Sequence, residues 1–275
     1  MKLGFITSIL DGWTYEQMMD FASEQGFECV EVVCWPQEKA ERRYAGVSHI
    51  DAERVNQDDE YAAHIMAYAE KAGVEISALA YYPNVMTADK EKRNAAIEHL
   101  KNVIRASKKL GVGMVTTFIG RDQTKSVREN LELVKEIWPP IIKLAEVSDV
   151  KIAIENCPML FGEEQWPGGQ NLMTTPPIWR EVFKILDSDN LGINYDPSHF
   201  IWQMIDYIRP LYEFKDKIFH VHYKDIKIYR DKLESCGIMA YPLEYMSPKI
   251  PGLGDVDWGK YVSALTDMMA VHVSK

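Results

Sequence analysis

Short apolar runs of four to eight residues alternate along the chain with longer segments in which apolar residues recur every three or four positions. The short runs predict buried strands, and the longer segments predict helices with one apolar face. The predicted strands cover residues 2–9, 29–34, 75–82, 114–119, 151–155, 191–195, 218–223 and 270–273. The predicted helices cover residues 15–25, 51–72, 89–110, 126–147, 178–186, 210–216 and 258–268.

Residues with special backbone preferences mark the ends of these segments. Asp51 is a candidate N-cap for the second helix, and Gly73 and Gly111 are candidate C-terminal stops for the second and third. Pro139 and Pro140 fall inside the fourth helical pattern, where they predict a kink or a break.

The alternation of strands and helices predicts a parallel sheet. Two α/β architectures fit, a doubly wound sheet and a (β/α)8 TIM barrel. A barrel of roughly 250 residues folds as one domain, and no linker or shift in composition divides the 275 residues of this chain. We therefore expect a single TIM-barrel domain over residues 1–275.

Composition narrows the class of protein. Hydrophobic residues make up 47% and charged residues 26%, which are values of a folded globular chain. The net charge of -10 argues against a general nucleic-acid binder. No apolar run approaches the ~20 residues of a membrane helix, and the N-terminus reads as a first strand rather than a signal peptide. The four cysteines form no CxxC pair, so we expect reduced thiols and a cytoplasmic location.

Candidate chemistry lies at the ends of three consecutive predicted strands, because barrel active sites form at the carboxyl ends of the strands. Glu155 ends one strand, Asp196 follows the next, and His222 ends the third. Two carboxylates and one imidazole suit a divalent metal such as Mn²⁺, Co²⁺, Zn²⁺ or Mg²⁺. The alternative interpretation is a structural cluster of salt bridges.

Two further residues are candidates for the same site. His199 follows Asp196 after a turn at Pro197, so it can come back towards the site as a base or a substrate ligand, or stay in a surface loop. Lys224 lies two residues beyond His222 and points the same way, where it can hold a sugar oxygen or a phosphate. His220 lies deeper on that strand and is expected to be a hydrogen-bonded interior residue.

Weaker candidates concern substrate binding. Glu31 lies inside an apolar strand, where a carboxylate is costly unless paired. Trp35 and Asn156 follow strands, and Trp166 lies in the long loop 161–171, which is a candidate lid over the site. The segment GLGDVDW lacks the lysine of a phosphate loop, and His49, His64 and His99 are expected on the surface.

The segments IENCP, NYDPSHF, HVHYKD and IPGLGDVDW, in this order, resemble the xylose isomerase-like TIM barrels, a family of sugar phosphate isomerases and epimerases. The last segment is typical of the inosose-isomerase-like branch, and the resemblance extends back to KLGF and GFECVEVVCWP. It implies that Glu155, Asp196 and His222 are metal ligands, with His199 near both metal and substrate. It also implies a fourth ligand, a glutamate at the end of the last strand.

That glutamate has no counterpart here, since the chain reads MMAVHVSK after Asp267. We expect a three-ligand site, or one in which His272 replaces the glutamate, and a barrel that is incomplete at its C-terminal end. In that account residues 270–273 form a short last strand beside residues 2–7, the final helix is missing, and the uncovered edge favours self-association into a homo-oligomer.

The resemblance implies a metal-dependent isomerase or epimerase of a sugar, keto-sugar or sugar phosphate that works through an enediolate, with Glu155, His199 and Lys224 as candidate catalytic residues. One alternative is a lyase or dehydratase acting on an inosose or keto-sugar. Another is a catalytically impaired sugar-binding subunit, favoured by the missing glutamate. Nuclease activity needs more metal-binding histidines and a basic face, and the sequence has neither.

Overall fold

The computed structural model describes residues 1–36, 46–160 and 162–273 of the chain, with side chains through residue 268. Seven strands form one sheet in which chain order is also the order of neighbours. They are β1 (Gly4–Ile6), β2 (Cys29–Val33), β3 (Glu75–Ala80), β4 (Met114–Thr117), β5 (Lys151–Glu155), β6 (Leu191–Tyr195) and β7 (Ile218–Val221). The pairs β1–β2, β2–β3, β3–β4 and β6–β7 are parallel, as the alternating pattern predicts.

Helices follow the strands. They are α1 (Tyr15–Glu24), α2 (Ala52–Gln57), α3 (Asp59–Ala72), α4 (Lys90–Leu110), α5 (Val127–Ile137), α6 (Pro139–Ser148), α7 (Pro176–Ile185), α8 (Ser198–Trp202), α9 (Arg209–Glu213), α10 (Arg230–Cys236) and α11 (Trp258–Val273). The predicted break at the proline pair is confirmed, because α5 ends at Ile137 and α6 begins at Pro139. No helix in the part of the chain described here is both long and apolar enough to cross a membrane.

The chain divides into two compact units. The first unit consists of Met1–Val85, Asp89–Phe118 and Ile137–Ile152, and the second of Met86–Ala88, Ile119–Glu136 and Ala153–Lys275. The core of the first includes Val33, Val47 and Ala80, packed by Ile6, Trp35 and Tyr82. The second has a cluster formed by Trp202, Ile226, Ile228, Leu233 and Tyr245.

The predicted helix 51–72 is two helices, and Asp58 is the reason. Its backbone is extended, with φ -121° and ψ 106°, so the helix breaks there. The Asp58 carboxylate then accepts a hydrogen bond of 2.9 Å from the backbone N–H of Tyr61 and caps α3. The pattern of apolar positions does not reveal the break at Asp58, because both helices keep their apolar faces inward.

Removing this cap should weaken the fold modestly. We expect Asp58→Ala to lower the free energy of unfolding by about 1 kcal/mol, because an N–H of the first turn of α3 loses its acceptor. Urea unfolding measures the change. Glu60→Ala, an exposed acidic residue in the same turn, is the control and should stay within about 0.5 kcal/mol of the wild type. Equal effects of the two substitutions would contradict the capping role.

The prediction of a last strand at residues 270–273 is wrong. The backbone of this segment continues α11 as far as Val273, and the described residues contain no eighth strand in the sheet. Neither glycine nor proline interrupts the chain after Trp258 except Gly259 in the first turn. Extending an existing helix adds one hydrogen bond for each residue fixed, whereas a new strand needs a turn and a partner. The side chain of His272 lies outside the described side chains.

An antiparallel hairpin between β7 and α11 was not predicted. It pairs β8 (Asp225–Ile228) with β9 (Met246–Lys249), with α10 between them. Asp225, at the start of β8, is fully buried. Its carboxylate accepts hydrogen bonds from five donors, namely the backbone N–H groups of Ile226, Gly252, Gly254 and Val256 and the indole N–H of Trp258. The GLGDVDW segment is therefore a loop folded around an internal carboxylate. This agrees with the expectation that it is not a phosphate loop.

Candidate metal and active site

Three strand ends of the second unit bring together the side chains that the sequence singles out. Glu155 is the last residue of β5, Asp196 directly follows β6, and His222 directly follows β7. One potential ligand atom from each lies within 4.8 Å of the others. The Glu155 Oε1 atom is 3.3 Å from Nδ1 of His222. These distances allow the three side chains to hold one ion.

The two carboxylate oxygens of Asp196 have different surroundings. Its side chain is fully buried. Oδ1 accepts a 2.8 Å hydrogen bond from the backbone N–H of Ser198, but Oδ2 is buried and accepts none. A buried carboxylate oxygen without a donor costs free energy unless a cation faces it. The donor set of two carboxylates and one imidazole fits a divalent metal.

The turn after β6 brings His199 back into the site. Pro197 precedes α8, and the first turn of this helix carries His199 inward, where it is 5% exposed. Its Nε2 atom is 3.3 Å from Asp196 Oδ2 and 3.7 Å from Glu155 Oε1. The Lys224 ammonium lies 3.3 Å from the same nitrogen and 4.0 Å from Asp196 Oδ2. Both catalytic candidates thus lie beside the two carboxylates.

Asn156 positions Asp196. It is fully buried, and its side-chain amide forms a pair of hydrogen bonds with the Asp196 backbone. The amide Oδ1 accepts from the Asp196 N–H at 2.7 Å, and Nδ2 donates to the Asp196 carbonyl at 2.9 Å. The segment IEN thereby locks the end of β5 to the end of β6. A direct contact of Asn156 with substrate stays a prediction.

A second amide orients His222. The side chain of Asn194, buried in β6, lies 3.0 Å from His222 Nε2 and 3.1 Å from His220 Nδ1. The expectation that His220 is a hydrogen-bonded residue agrees with this contact. Because Asn194 holds Nε2, the other ring nitrogen of His222 faces Glu155. Such supporting contacts fix the orientation of histidine ligands.

The electrostatics of the site favour two carboxylates facing two cations. Burial alone would raise the pKa of Glu155, but hydrogen bonds from His199 and His222 outweigh it and lower this pKa to about 2. Burial likewise opposes ionisation of Asp196, and the charges of His199 and Lys224 hold its pKa below the usual range. The pKa of His199 is raised well above its usual value, since Cys157 and Asp196 outweigh the effect of burial. Asp196 also raises the pKa of Lys224 against its desolvation.

Comparison with known proteins identifies the family. The sequence model of the xylose isomerase-like TIM barrel matches residues 19–270. The chain belongs to this family. The resemblance carried by the four motifs is therefore confirmed, and so is the prediction of a TIM-barrel fold, of which the described residues contain seven parallel strands.

Individual relatives are distant. YfiH of Bacillus subtilis, an uncharacterized protein, is 24% identical over 256 residues, which cover 84% of this chain and 74% of YfiH. The crystal structure of the IOLI protein with a bound zinc atom has a TM-score of 0.68 and 20% identity, covering 98% of this chain and 85% of IOLI. The 3-keto-D-glucoside 4-epimerase YcjR of E. coli has a TM-score of 0.68 and 15% identity, covering 98% of this chain and 88% of YcjR.

The loop 161–171 forms one wall of a pocket in the second unit of this xylose isomerase-like chain. Phe161 lies outside the described residues. The Trp166 indole N–H donates to the Met239 carbonyl at 2.9 Å, and its ring packs against Trp202 with centroids 6.1 Å apart. Together they line a pocket of about 260 Å³. The role of Trp166 in substrate binding stays a prediction, and so does closure of the loop.

Glu31 and Trp35 lie in the first unit of the barrel. Glu31 is buried in β2 and accepts hydrogen bonds from the hydroxyls of Tyr82 and Thr116, the latter at 2.6 Å. Trp35 is half-buried and meets the Tyr81 ring edge-on, with centroids 4.9 Å apart. These contacts satisfy the buried carboxylate and pack the indole. Substrate binding by either residue stays a prediction.

Sequence reasoning missed several residues that support the site. Besides Asn194, these include Asn171, which is fully buried and donates to the carbonyls of Glu155 and Cys157 at 2.7 Å each. Gln203 donates to the His199 carbonyl at 2.7 Å. An asparagine inside the apolar run LGINY was a usable signal, because a buried amide needs partners. Asn171 and Gln203 lie in polar loops, where the sequence offers no such contrast.

Proposed function

We propose that the chain is a divalent-metal-dependent isomerase or epimerase of a sugar or keto-sugar, with Glu155, Asp196 and His222 holding the metal. One observation carries the proposal. Potential ligand atoms from three consecutive strand ends lie within 4.8 Å of one another, and the buried Asp196 Oδ2 accepts no hydrogen bond. The His199 imidazole and the Lys224 ammonium also face this oxygen, at 3.3 Å and 4.0 Å, so the convergence of three potential ligand atoms is what supports a metal.

The metal would supply Lewis acidity, polarising neighbouring carbonyl and hydroxyl oxygens of an open-chain sugar and so acidifying the proton on the carbon beside them. The protein residues supply the proton transfers. We assign Glu155 to one of them, since its carboxylate is ionised at neutral pH and lies among the ligand atoms. Lys224 can donate a hydrogen bond to the substrate oxygen on which negative charge develops.

His199 is assigned to proton transfer or substrate orientation. Its imidazole is within 3.7 Å of both Asp196 and Glu155 and within 3.3 Å of Lys224. It therefore lies between the proposed ligands and Lys224. The neighbours IOLI, described with a zinc atom, and YcjR, an epimerase, support this class of chemistry.

The proposal predicts a metal-dependent exchange of one substrate proton. Protein stripped with a chelator should take up one equivalent of Mn²⁺, Co²⁺, Zn²⁺ or Mg²⁺ per chain, measured by elemental analysis. Incubated with keto-sugars in D2O, the reloaded protein should introduce deuterium at the carbon beside the carbonyl, as followed by NMR. Stripped protein is the control and should exchange no faster than buffer.

The products separate the proposed activity from its alternatives. An isomer or epimer that carries deuterium supports the proposal. Loss of a hydroxyl group from the product would identify the lyase or dehydratase reaction. Sugar binding without exchange would identify an impaired sugar-binding subunit, and failure to retain any metal would overturn the metal site itself.

A further inference from the structure

The pocket of about 260 Å³ in the second unit has an unusual lining. Its walls include two tryptophans, Trp166 and Trp202, together with Tyr245 and several neutral polar residues. Among the described residues that line it, Arg121 alone carries a charge. A pocket lined by a guanidinium, and by no carboxylate among the described residues, favours an anionic ligand.

The pocket adjoins the proposed metal site. Gln203 lines it and donates a hydrogen bond to the carbonyl of His199. Asn171 lines it as well and donates to the carbonyl of Glu155. The amide side chains of Gln203 and Asn171 thus connect the wall of the pocket to His199 and Glu155 of the proposed site.

The walls of the pocket are fixed in place. The Trp166 indole is held by its hydrogen bond to the Met239 carbonyl and by the ring of Trp202. Tyr245 is 2% exposed and belongs to the core cluster of the second unit. A preformed wall of this kind binds a ligand at low cost in conformational entropy.

Arg121 is packed closely against the loop. A Cβ atom built on Gly168 would lie 2.9 Å from Arg121 Nη2 and 3.0 Å from Cζ, so the guanidinium rests against the glycine backbone. Burial lowers the pKa of Arg121, although a guanidinium stays charged at neutral pH. An anion bound beside it would offset the cost of this desolvation.

We infer that the substrate carries an anionic group, a carboxylate or a phosphate, which Arg121 binds in the pocket between Trp166 and Trp202. This inference rests on the proposed function, because it places the anion on the sugar whose reacting carbon lies at the strand ends. The planar guanidinium suits either group, since it can donate two parallel hydrogen bonds to carboxylate or phosphate oxygens.

Binding measurements on the full chain test the inference. The probes are D-glucuronate, D-glucose 6-phosphate and uncharged D-glucose, titrated at low ionic strength by calorimetry and by tryptophan fluorescence. We expect at least one anionic sugar to bind about tenfold or more tightly than D-glucose. In Arg121→Gln this preference should vanish. Arg128→Gln, an exposed arginine on α5, is the matched control and should keep it. The anionic probe that loses more affinity identifies carboxylate or phosphate as the group.

A second variant guards against misfolding of the first. Gly168→Ala keeps the charge but pushes the guanidinium away from the loop, so it should reduce the anion preference without a loss of thermal stability. An anion preference that persists in both variants would overturn the inference, and so would a wild type that binds all three probes equally.

The failure of this inference and the failure of the proposed function can be told apart. Asp196→Asn removes the proposed metal ligand, and it should leave the Arg121-dependent anion preference in place. Metal uptake and proton exchange without anion preference would sink the pocket alone. Anion preference without metal uptake would sink the proposed function while leaving an anion site at Arg121.

Discussion

Asp196→Asn should lower the affinity for the divalent metal by more than about 100-fold. Loss of a residue that only hydrogen-bonds to a metal ligand lowers the affinity by up to about 100-fold, and loss of a ligand should cost more. The substitution is isosteric, so the new side chain can still accept the hydrogen bond from Ser198 N–H that Asp196 Oδ1 accepts at 2.8 Å. It removes the negative charge and replaces the buried Oδ2, which accepts no hydrogen bond, by an amide nitrogen that cannot bind a cation. Proton exchange should be lost with the metal.

Calorimetric titration of stripped protein with Zn²⁺ or Mn²⁺ measures this effect. Asp206→Asn is the matched control, because Asp206 is an exposed carboxylate in the same unit that accepts hydrogen bonds from Ile208 and Arg209 N–H groups. It should bind metal as tightly as the wild type. Unchanged metal affinity in Asp196→Asn would contradict the assignment of this residue as a ligand.

Melting temperatures of the wild type and Asp196→Asn distinguish a metal site from a structural cluster of salt bridges. In a metal site, saturating metal should raise the melting temperature of the wild type, since a ligand at 1,000 times its dissociation constant stabilises the fold by about 4 kcal/mol. The rise should disappear in Asp196→Asn. In a structural cluster, the variant would melt lower than the wild type by the same margin with and without metal.

The architecture was accessible from the sequence because it depends on repeated, averaged signals. Each strand–helix unit adds its own apolar run and helical period, and a parallel sheet is the arrangement that accommodates such alternation. The approach of Glu155, Asp196 and His222 followed from the same argument, since neighbouring parallel strands present their carboxyl ends at one edge. The prediction depends only on the position of each residue along its strand. Because side chains alternate between the two faces of a strand, this position also specifies the face on which a side chain lies.

The parts that escaped prediction depend on individual contacts. His49 was expected at the surface, yet it is 6% exposed and its ring lies between the Thr7 hydroxyl and the Leu10 carbonyl. His99 is half-buried and contacts the Cys34 carbonyl at 2.7 Å. A histidine in a loop or on a helix looks the same in the sequence whether or not a distant backbone group pairs with its ring.

Asp225 illustrates a different reason for failure. In the motif HVHYKD the histidine and the lysine predict a role in the site, whereas nothing in the sequence marks the last residue, Asp225, as important. Its partners lie 27 to 33 positions further along the chain for four of the five donors. Two motifs that look separate in the sequence, HVHYKD and GLGDVDW, are thus one structural element joined by one carboxylate.

Close packing against Asp225 explains why the GLGDVDW loop contains two glycines. A Cβ atom on Gly254 would lie 2.1 Å from Asp225 Oδ1, so only glycine lets the backbone N–H approach the carboxylate there. Gly252 has a φ of 89°, which is in the left-handed region that favours glycine. The two glycines of GLG are therefore required for the backbone N–H groups to reach Asp225. The hydrogen bond from Trp258 to the same carboxylate fixes the start of α11.

Replacing Asp225 by alanine should lower the free energy of unfolding by about 3 kcal/mol or more, because several buried N–H donors lose their acceptor at once. Asp225→Asn should also destabilise the fold, by about 2 kcal/mol, since one oxygen that accepts from two or three N–H groups becomes a donor. Urea unfolding measures both. Asp255→Asn is the control from the same loop. Asp255 is partly exposed, pairs with Lys227 and accepts from Ile228 N–H, so its substitution should cost no more than about 1 kcal/mol.

The effect of Asp225 should depend on pH in a stated direction. Burial would raise the pKa of this carboxyl, but hydrogen bonds from Trp258 and the loop N–H groups hold it below its usual value. A lowered pKa in the folded state means that the carboxylate contributes stability above its unfolded pKa of about 3.9, and that this contribution is lost as the pH falls through the folded value. The difference in stability between wild type and Asp225→Asn should therefore be full at pH 7 and shrink below about pH 4. A difference that stays constant across this range, or an Asp225→Asn variant as stable as Asp255→Asn, would show that the carboxylate does not hold this loop.

The same substitution should also affect the proposed site. Because Lys224 directly precedes Asp225, loss of the Asp225 carboxylate should displace the Lys224 ammonium, which lies 3.3 Å from His199 Nε2.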